Sequence, residues 1–223
     1  MMSLLALVLG LSAPSGQFSS AQEALLRGVT RECHIHYSTQ FQARELESLD
    51  AVPGKIREKL VSHLKARLGD VFYDRLRYRQ GLVFNSNDVG SGSRDEKIPA
   101  FHFEFDLSMP EAGVKQYCAQ IDLGAHGSVL REIDLPEVAR DATKGTIVPL
   151  TEALQVAEVE GVPREEALIE VGYEASPGCI VWQISYTKKD ERGDTVLLTC
   201  DINAHTGKKI KWYAQDIRFH KPA

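Results

Sequence analysis

Two stretches of this chain repeat each other 79 positions apart, and this internal repeat limits the folds open to it. Residues 101–105 (FHFEF) align with residues 180–184 (IVWQI), and residues 122–127 (DLGAHG) align with residues 201–207 (DINAHTG) with one residue inserted. Each half is predicted to begin with a helix and to continue as four strands joined by turns. A helix across an antiparallel sheet lets a unit of about 80 residues bury a small core. The fold class is therefore predicted to be α+β.

The first half begins with a strongly marked helix. Pro53 suits a first helical turn because its missing N–H would be unpaired there anyway. Gly69 is predicted to end the helix as a C-cap, with a strand-like segment from Val71 to Asn85 behind it. One apolar stripe with helical spacing lies between them: Ile56, Leu60, Val61, Leu64 and Leu68. Residues 101–107 then alternate aromatic or leucine side chains with polar ones, which predicts a strand with one buried face.

The second half follows the same order of elements. Thr151 is predicted to cap a helix that runs to Glu160 and turns Ala153, Leu154 and Ala157 towards the core. A strand is expected from residue 167 to residue 174. Two further strands, separated by a charged turn, are expected within residues 179–211 (CIVWQISYTKKDERGDTVLLTCDINAHTGKKIK).

These residues resemble those of a known domain family. The second half, residues 147–213, is similar to a PepSY domain in three places: the helix start at 151–154 (TEAL), the aromatic strand at 181–184 (VWQI) and the strand ending at 201–210 (DINAHTGKKI). The first half, from Val52 through Leu130, resembles the PepSY-like branch of the same superfamily, which is related to β-lactamase inhibitor proteins.

The resemblance implies two tandem cystatin-like units, each a helix packed on a curled antiparallel sheet. Unit 1 is expected to span residues 52–135 and unit 2 residues 147–218, after an N-terminal extension of residues 22–51. Such modules occur in protease pro-regions and as separate extracytoplasmic proteins, with proposed roles in inhibition, folding assistance and ligand binding. The family carries no catalytic residues, so none is assigned.

The N-terminus resembles a secretory signal peptide. Residues 4–11 (LLALVLGL) form an apolar run that is too short to span a bilayer, and residues 19–21 (SSA) offer the small side chains that a signal peptidase accepts. We therefore predict a signal peptide over residues 1–21 and a periplasmic or secreted location. An apolar N-terminal strand or helix that belongs to the fold is the alternative. No later segment is long and apolar enough to predict a membrane helix.

Export places four cysteines in an oxidising compartment, where disulfides form. None lies in a CxxC motif, so thioredoxin-like chemistry and a cysteine metal site are disfavoured. Cys179 and Cys200 fall on strands expected to be hairpin neighbours, so they are the first predicted pair, which leaves Cys33 and Cys118 for each other. Buried free thiols that pack as small hydrophobic side chains are the alternative.

Two histidine patterns are candidate ligand sites. Asp201 and His205 lie near the second repeated turn, and Asp122 and His126 match them in the first half. The competing explanation is turn chemistry, in which Asp accepts from local backbone N–H groups and glycine supplies a positive φ. His34-x-His36 would be half of a zinc or copper site on one face of a strand.

Four aromatic residues of the second half are a candidate binding platform, although aromatic side chains on strands more often lie in the core. They are Trp182, Tyr186, Trp212 and Tyr213.

The composition is that of an ordinary globular protein, with 43% hydrophobic and 26% charged residues and a net charge of −5. This net negative charge does not indicate nucleic-acid binding, which normally requires a basic domain. No nucleophile elbow, phosphate loop or dinucleotide motif is present, and no cofactor or metal is assigned. The sequence carries no indication of oligomeric state.

The first functional hypothesis is an exported, non-enzymatic protein that binds a protein or peptide, with protease inhibition as one such role. A small-molecule or metal-binding periplasmic module is the second hypothesis, and an enzyme on a cystatin-like scaffold is the third.

Overall fold

The structure is a computed structural model, and it describes residues 20–33, 41–91 and 97–216. Over these ranges the chain is a mixed α+β fold, as the sequence predicts. The helices are α1 (Ser20–Arg27), α2 (Gly54–Tyr73) and α3 (Leu150–Val159). The strands are β1 (Val29–Arg31), β2 (Ala43–Leu46), β3 (Leu76–Phe84), β4 (Phe101–Met109), β5 (Val114–Leu123), β6 (Val129–Arg131), β7 (Leu168–Glu174), β8 (Cys179–Lys189), β9 (Thr195–Asn203) and β10 (Lys209–Asp216).

The strands form two sheets with related topology. In the first sheet β3, β4, β5 and β6 follow one another as antiparallel neighbours, and in the second sheet β7, β8, β9 and β10 do the same. Helix α2 precedes the first series and α3 precedes the second. The first sheet also gains β2 beside β3 and β1 beside β5, where β1 runs parallel to its neighbour.

The residues that match in sequence hold matching places in the two sheets. Residues 101–105 lie on β4 and residues 180–184 lie on β8, each the second strand of its series. Asp122 and Asp201 lie on the third strands, near their ends. The repeat in the sequence is therefore a repeat of helix, strand order and strand position.

Helix α2 carries the predicted apolar stripe into the core. Ile56, Leu60, Leu64 and Leu68 are all buried. Gly69 interrupts the helix with a φ of 60°, which favours glycine. The prediction that the first helical segment ends at Gly69 is confirmed by this non-helical residue, and a further helical turn begins directly after it and buries Phe72 against the core. The next strand consequently begins at Leu76, later than the sequence suggests.

Helix α3 is shorter than α2, and its start differs from the prediction. Pro149 is the N-cap residue and Thr151 is already helical, so Thr151 does not cap the helix. The predicted core residues Ala153, Leu154 and Ala157 are buried. With ten residues, α3 is about 15 Å long, whereas residues 54–68 of α2, before the kink at Gly69, reach about 22 Å.

One disulfide links the segment after β1 to the centre of the first sheet. It joins Cys33 to Cys118, with 5.2 Å between the Cα atoms, and this pairing is the one left over in the sequence prediction. The predicted Cys179–Cys200 bond is wrong, because both residues are buried free thiols. Cys200 lies opposite Ile184 on β8, five residues beyond Cys179. Five strand residues span roughly 16 Å, which is beyond the reach of a disulfide.

The predicted signal peptide lies outside the described residues except for its last two. Ser20 and Ala21 begin α1, where Ala21 is buried and the Ser20 hydroxyl donates to the carbonyl oxygen of Ala167. The strand expected over residues 34–41 also lies almost wholly outside the described residues. Within the described ranges, no helix has the length and apolar character needed to cross a membrane.

Loss of the Cys33–Cys118 bond should destabilise the fold, because its two cysteines are 85 residues apart and the bond restricts the unfolded chain. We expect the Cys33→Ala/Cys118→Ala variant to lose about 2–4 kcal/mol of unfolding free energy, measured by urea denaturation followed by circular dichroism. A dithiol reductant should lower the stability of the wild-type protein only. An equal effect of the reductant on the double variant would contradict this assignment.

Candidate functional site

A cluster of polar side chains lies on the face of the first sheet that points away from Phe103 and Phe105. The alternation along β4 predicts that His102 and Glu104 share this face, but also that the face is open to solvent. They are instead 1% and 3% exposed. Gln120 and Asp122, their register partners on β5, are buried as well. Both faces of this strand pair are therefore inside the protein.

Five side chains close a ring on this face, which we call the polar ring: His102, Glu104, Gln120, Asp122 and Arg131. His102 Nδ1 lies 2.7 Å from Asp122 Oδ1, and His102 Nε2 lies 3.4 Å from Glu104 Oε1. Gln120 Nε2 donates to Glu104 Oε1 at 3.2 Å. Arg131 completes the ring, with Nη2 donating to Gln120 Oε1 at 3.2 Å and Nε 3.0 Å from Asp122 Oδ2.

Hydrogen bonds within the polar ring oppose the effect of burial on the pKa values of His102 and Glu104. Burial alone would lower the pKa of His102, but its hydrogen bonds to Asp122 and Glu104 hold that pKa above its usual value. Burial alone would raise the pKa of Glu104, but hydrogen bonds from His102 and Gln120 lower it. His102 and Arg131 thus face the carboxyl groups of Asp122 and Glu104. A buried polar network whose members are satisfied adds rigidity and fixes strand register.

The disulfide lies beside the polar ring. The sulfur atoms of Cys33 and Cys118 and a carboxylate oxygen of Glu104 all lie within 4.8 Å of one another. Cys118 is on β5 and faces the same side of the sheet as Gln120, two residues along the strand. Arg79 approaches from the neighbouring strand β3, with Nε 3.6 Å from Glu104 Oε2.

The second sheet places a different set of charges at the matched position. Asp201 is fully buried on β9, and neither carboxylate oxygen accepts a hydrogen bond of good geometry from the described residues. Its compensation is the ammonium group of Lys211, 3.3 Å from Oδ2, which also pairs with Glu174 at 2.6 Å. Burial raises the pKa of Asp201, and the nearby Lys211 opposes this rise.

The predicted ligand turn does not bring Asp201 and His205 together. Asn203 performs the turn chemistry expected of Asp201, since its Oδ1 accepts from the backbone N–H groups of His205 and Thr206. The His205 ring instead bridges two backbone groups. Its Nδ1 donates to Thr146 O at 2.9 Å, and its Nε2 accepts from the N–H of Ile180 at 3.1 Å. Both ring nitrogens are thus used inside the fold.

The matched histidine of the first half has a different environment. His126 is exposed, and its backbone carbonyl oxygen accepts a hydrogen bond from Lys59 Nζ at 2.7 Å. The glycines behave as predicted in both turns, with φ of 78° at Gly127 and 67° at Gly207. His34 and His36, the other candidate pair, lie outside the described residues.

The four candidate platform aromatics separate into three environments. Trp182 is buried in the core, where its Nε1 donates to Val148 O at 3.0 Å. Tyr186 and Trp212 lie together on the helix side of the second sheet, with ring centroids 6.4 Å apart and Trp212 36% exposed. Tyr213 is on the opposite face, where its hydroxyl meets Gln183 and its ring lies near Lys211 Nζ.

A polar cleft of about 550 Å³ lies between α2, the segment after β6 and the turn between β7 and β8. Its lining includes Arg67, Arg140, Lys144 and Tyr173. Most of its cations are already engaged: Lys144 Nζ donates to two carbonyl oxygens of the β7–β8 turn, and Arg67 donates to Leu135 O. Glu137 and Asp141 offset part of the positive charge. The cleft has little free charge to offer an anion.

Substitution of His205 should have a pH-dependent cost. Burial lowers the pKa of His205, so its stabilising contribution is complete above its unfolded pKa and is lost as the pH falls through its folded pKa. We expect the destabilisation caused by His205→Asn to shrink between pH 7 and pH 5, measured by urea unfolding at each pH. His126→Asn, at the matched exposed position, is the control and should cost less at pH 7. A His205→Asn penalty that grows with acid would contradict the buried neutral histidine.

The Asp201–Lys211 pair should respond unequally to loss of its two members. Lys211→Met leaves a fully buried carboxylate without its cation, whereas Asp201→Asn removes the charge that needs compensation. We expect Lys211→Met to lower the melting temperature more than Asp201→Asn does, measured by calorimetry. The double variant should recover part of the Lys211→Met loss. Additive losses in the double variant would show that the two side chains do not interact.

Comparison of the chain with known proteins gives no match to a family model, to a curated protein or to a solved structure. The PepSY resemblance therefore stays a prediction from the residues that carry it. The function is argued below from the geometry of the second sheet.

Proposed function

We propose that this chain is an exported, non-enzymatic binding protein built from two PepSY-like units of cystatin-like form. Its ligand is an extended peptide segment of a partner protein. The binding surface is the end of the second sheet that α3 leaves uncovered, together with the outer edge of β10. One observation carries the proposal: Tyr186 and Trp212 form an accessible aromatic pair beside that edge.

Helix α3 is much shorter than the strands of the second sheet, so it can cover only part of their helix side. Strand β8 has 11 residues and extends about 36 Å, whereas α3 is only about 15 Å long. Helix α3 begins beside Trp182, as the bond from its indole to Val148 shows. Tyr186 lies four residues farther along β8, on the same face as Trp182.

The apolar surface continues beyond the two aromatic rings. Leu198 lies opposite Tyr186 on β9 and is only half-buried. Ala214 is the next residue in this row, on β10. Accessible apolar side chains gathered in one patch mark interaction sites more often than scattered ones do.

Strand β10 supplies the second half of the proposed site. Among the described residues it pairs with β9 only, so its other edge presents backbone N–H and C=O groups. An extended peptide can add to such an edge through main-chain hydrogen bonds. Alternate side chains of that peptide would then point to the helix side, next to Trp212 and Ala214. The partner segment should accordingly alternate apolar and polar residues.

The two other hypotheses have weaker support from the geometry. The polar cleft could take a small molecule, but Lys144 and Arg67 already donate to protein carbonyl groups. The polar ring gathers ionisable groups, yet His102 and Glu104 are buried in it and bonded to one another. Such burial favours a role in holding the sheet together. Export agrees with the Cys33–Cys118 disulfide, which an oxidising compartment preserves.

The proposal can be tested with a displayed library of random 12-residue peptides selected on the wild-type protein. Enriched peptides should alternate apolar and polar residues, and their affinity is measured by calorimetry. We expect Trp212→Ala to weaken their binding at least tenfold, because the indole supplies accessible apolar area at the edge. Tyr213→Ala is the matched control, since it changes the next residue on the same strand but the opposite face. Its affinity should stay within twofold of wild type.

Two results would count against this site. The first is a selection that enriches no peptide over a parallel selection on Trp212→Ala. The second is a set of enriched peptides that bind Trp212→Ala as tightly as the wild-type protein. Circular dichroism of both variants confirms that each retains its fold before the affinities are compared.

A further inference from the structure

Three potential metal ligands converge beside the polar ring. The sulfur atoms of Cys33 and Cys118 and a carboxylate oxygen of Glu104 lie within 4.8 Å of one another. Cys118 and Glu104 are buried, and Cys33 is half-buried at the edge of the cluster. In the structure the two sulfurs are joined to each other. They can act as metal ligands only after that bond is reduced.

We propose that the reduced protein binds one Zn²⁺ ion through Cys33, Cys118 and Glu104, with water as the fourth ligand. The disulfide and the metal are then two alternative ways of joining the segment after β1 to β5. Zinc sites of this kind take sulfur and oxygen ligands in tetrahedral geometry. Thiolate ligands favour zinc over magnesium or calcium.

The required movement is small. Tetrahedral zinc with bonds of about 2.3 Å to sulfur holds two sulfurs about 3.8 Å apart. The Cα atoms of Cys33 and Cys118 are already 5.2 Å apart, so side-chain rotation is sufficient to separate the sulfurs. Cys118 and Glu104 are fixed on paired strands, where Glu104 lies opposite Gln120. Ligands on strands are held more precisely than ligands on loops.

Side chains of the polar ring hold the Glu104 carboxylate in position to act as a metal ligand. His102 and Gln120 both contact its Oε1, which fixes the carboxylate in place. Such supporting hydrogen bonds orient metal ligands and raise metal affinity. Arg79 lies 3.6 Å from Oε2 and offsets the negative charge that two thiolates and a carboxylate leave around a divalent ion. The Glu104 carboxylate is therefore already held in place before zinc binds.

The chemistry balances with a dithiol as reductant. Two electrons and two protons pass from the dithiol to the Cys33–Cys118 bond, which breaks to give two thiols, while the dithiol becomes a disulfide. Zn²⁺ then displaces one proton from each thiol to the buffer and forms two zinc–sulfur bonds. Reoxidation by a small-molecule disulfide, which takes up the two electrons and is released as two thiols, re-forms the Cys33–Cys118 bond, removes both thiolate ligands and releases the metal.

The test compares metal binding by the reduced and the oxidised protein. Reduced wild-type protein should bind one Zn²⁺ per chain in calorimetry, and Co²⁺ should produce a sulfur-to-metal charge-transfer band in the near ultraviolet. Oxidised protein should show neither signal. Cys33→Ser/Cys118→Ser should lose both, and Glu104→Gln should bind at least tenfold more weakly. Cys179→Ser/Cys200→Ser is the matched control, because it removes the two other thiols and should bind like wild type.

Several results would overturn the proposal. Reduced, folded wild-type protein that binds no stoichiometric Zn²⁺ would do so, as would Cys33→Ser/Cys118→Ser that retains the Co²⁺ band. If reduction unfolds the chain, Zn²⁺ should restore its circular dichroism, since a metal that binds only the native state stabilises it. Failure of Zn²⁺ to restore the spectrum would equally refute the site.

Discussion

Burial of both faces of the β4–β5 strand pair is the constraint on which the first half of the protein depends. One face carries phenylalanine and leucine side chains into the hydrophobic core. The other face also lies inside the protein, so the polar side chains that alternate with them cannot reach water freely. Each buried polar group then requires a partner. The polar ring meets most of this requirement by joining His102 and Arg131 to two carboxyl groups and an amide, while Arg131 Nε contacts Asp122 as an ion pair without a hydrogen bond of good geometry.

The two sheets each bury an aspartate at a matched position, but different side chains compensate its charge. Asp122 and Asp201 occupy matched positions, but Asp122 meets His102 and Arg131 whereas Asp201 relies on Lys211. The histidines of the matched turns differ in the same way, because His205 is bonded inside the fold and His126 is exposed. The repeat therefore preserves backbone topology more strictly than side-chain interactions. This divergence suggests that the two halves carry different tasks.

Differences in helix length point to where those tasks lie. Helix α2 occupies the core side of the first sheet, while on the second sheet Trp212 is 36% exposed beside the half-buried Tyr186. The first sheet also contains strands β1 and β2 of the N-terminal segment. The Cys33–Cys118 disulfide joins that segment to β5. The first half thus provides the stabilised part of the molecule, and the second half provides the proposed binding surface.

The sequence by itself determined the class of fold and much of the element order. Apolar spacing located α2, and strict alternation located β4, because both periods follow from backbone geometry alone. The 79-residue offset placed Asp122 and Asp201 on matched strands. The alternation of His102 and Glu104 with phenylalanines likewise placed them on one face.

Only the tertiary structure decided which polar groups are buried and which cysteines meet. An alternating strand has the same sequence pattern whether its polar face contacts water or protein, so the polar ring could not be predicted. Strand register decided which cysteines can form a disulfide. Cys179 and Cys200 lie on neighbouring strands, but a register offset of five residues separates them. The partial exposure of Tyr186 and Trp212 likewise depends on which elements pack over the second sheet. Each of these features depends on contacts between residues that are distant in the sequence. Short-range sequence patterns do not predict such contacts.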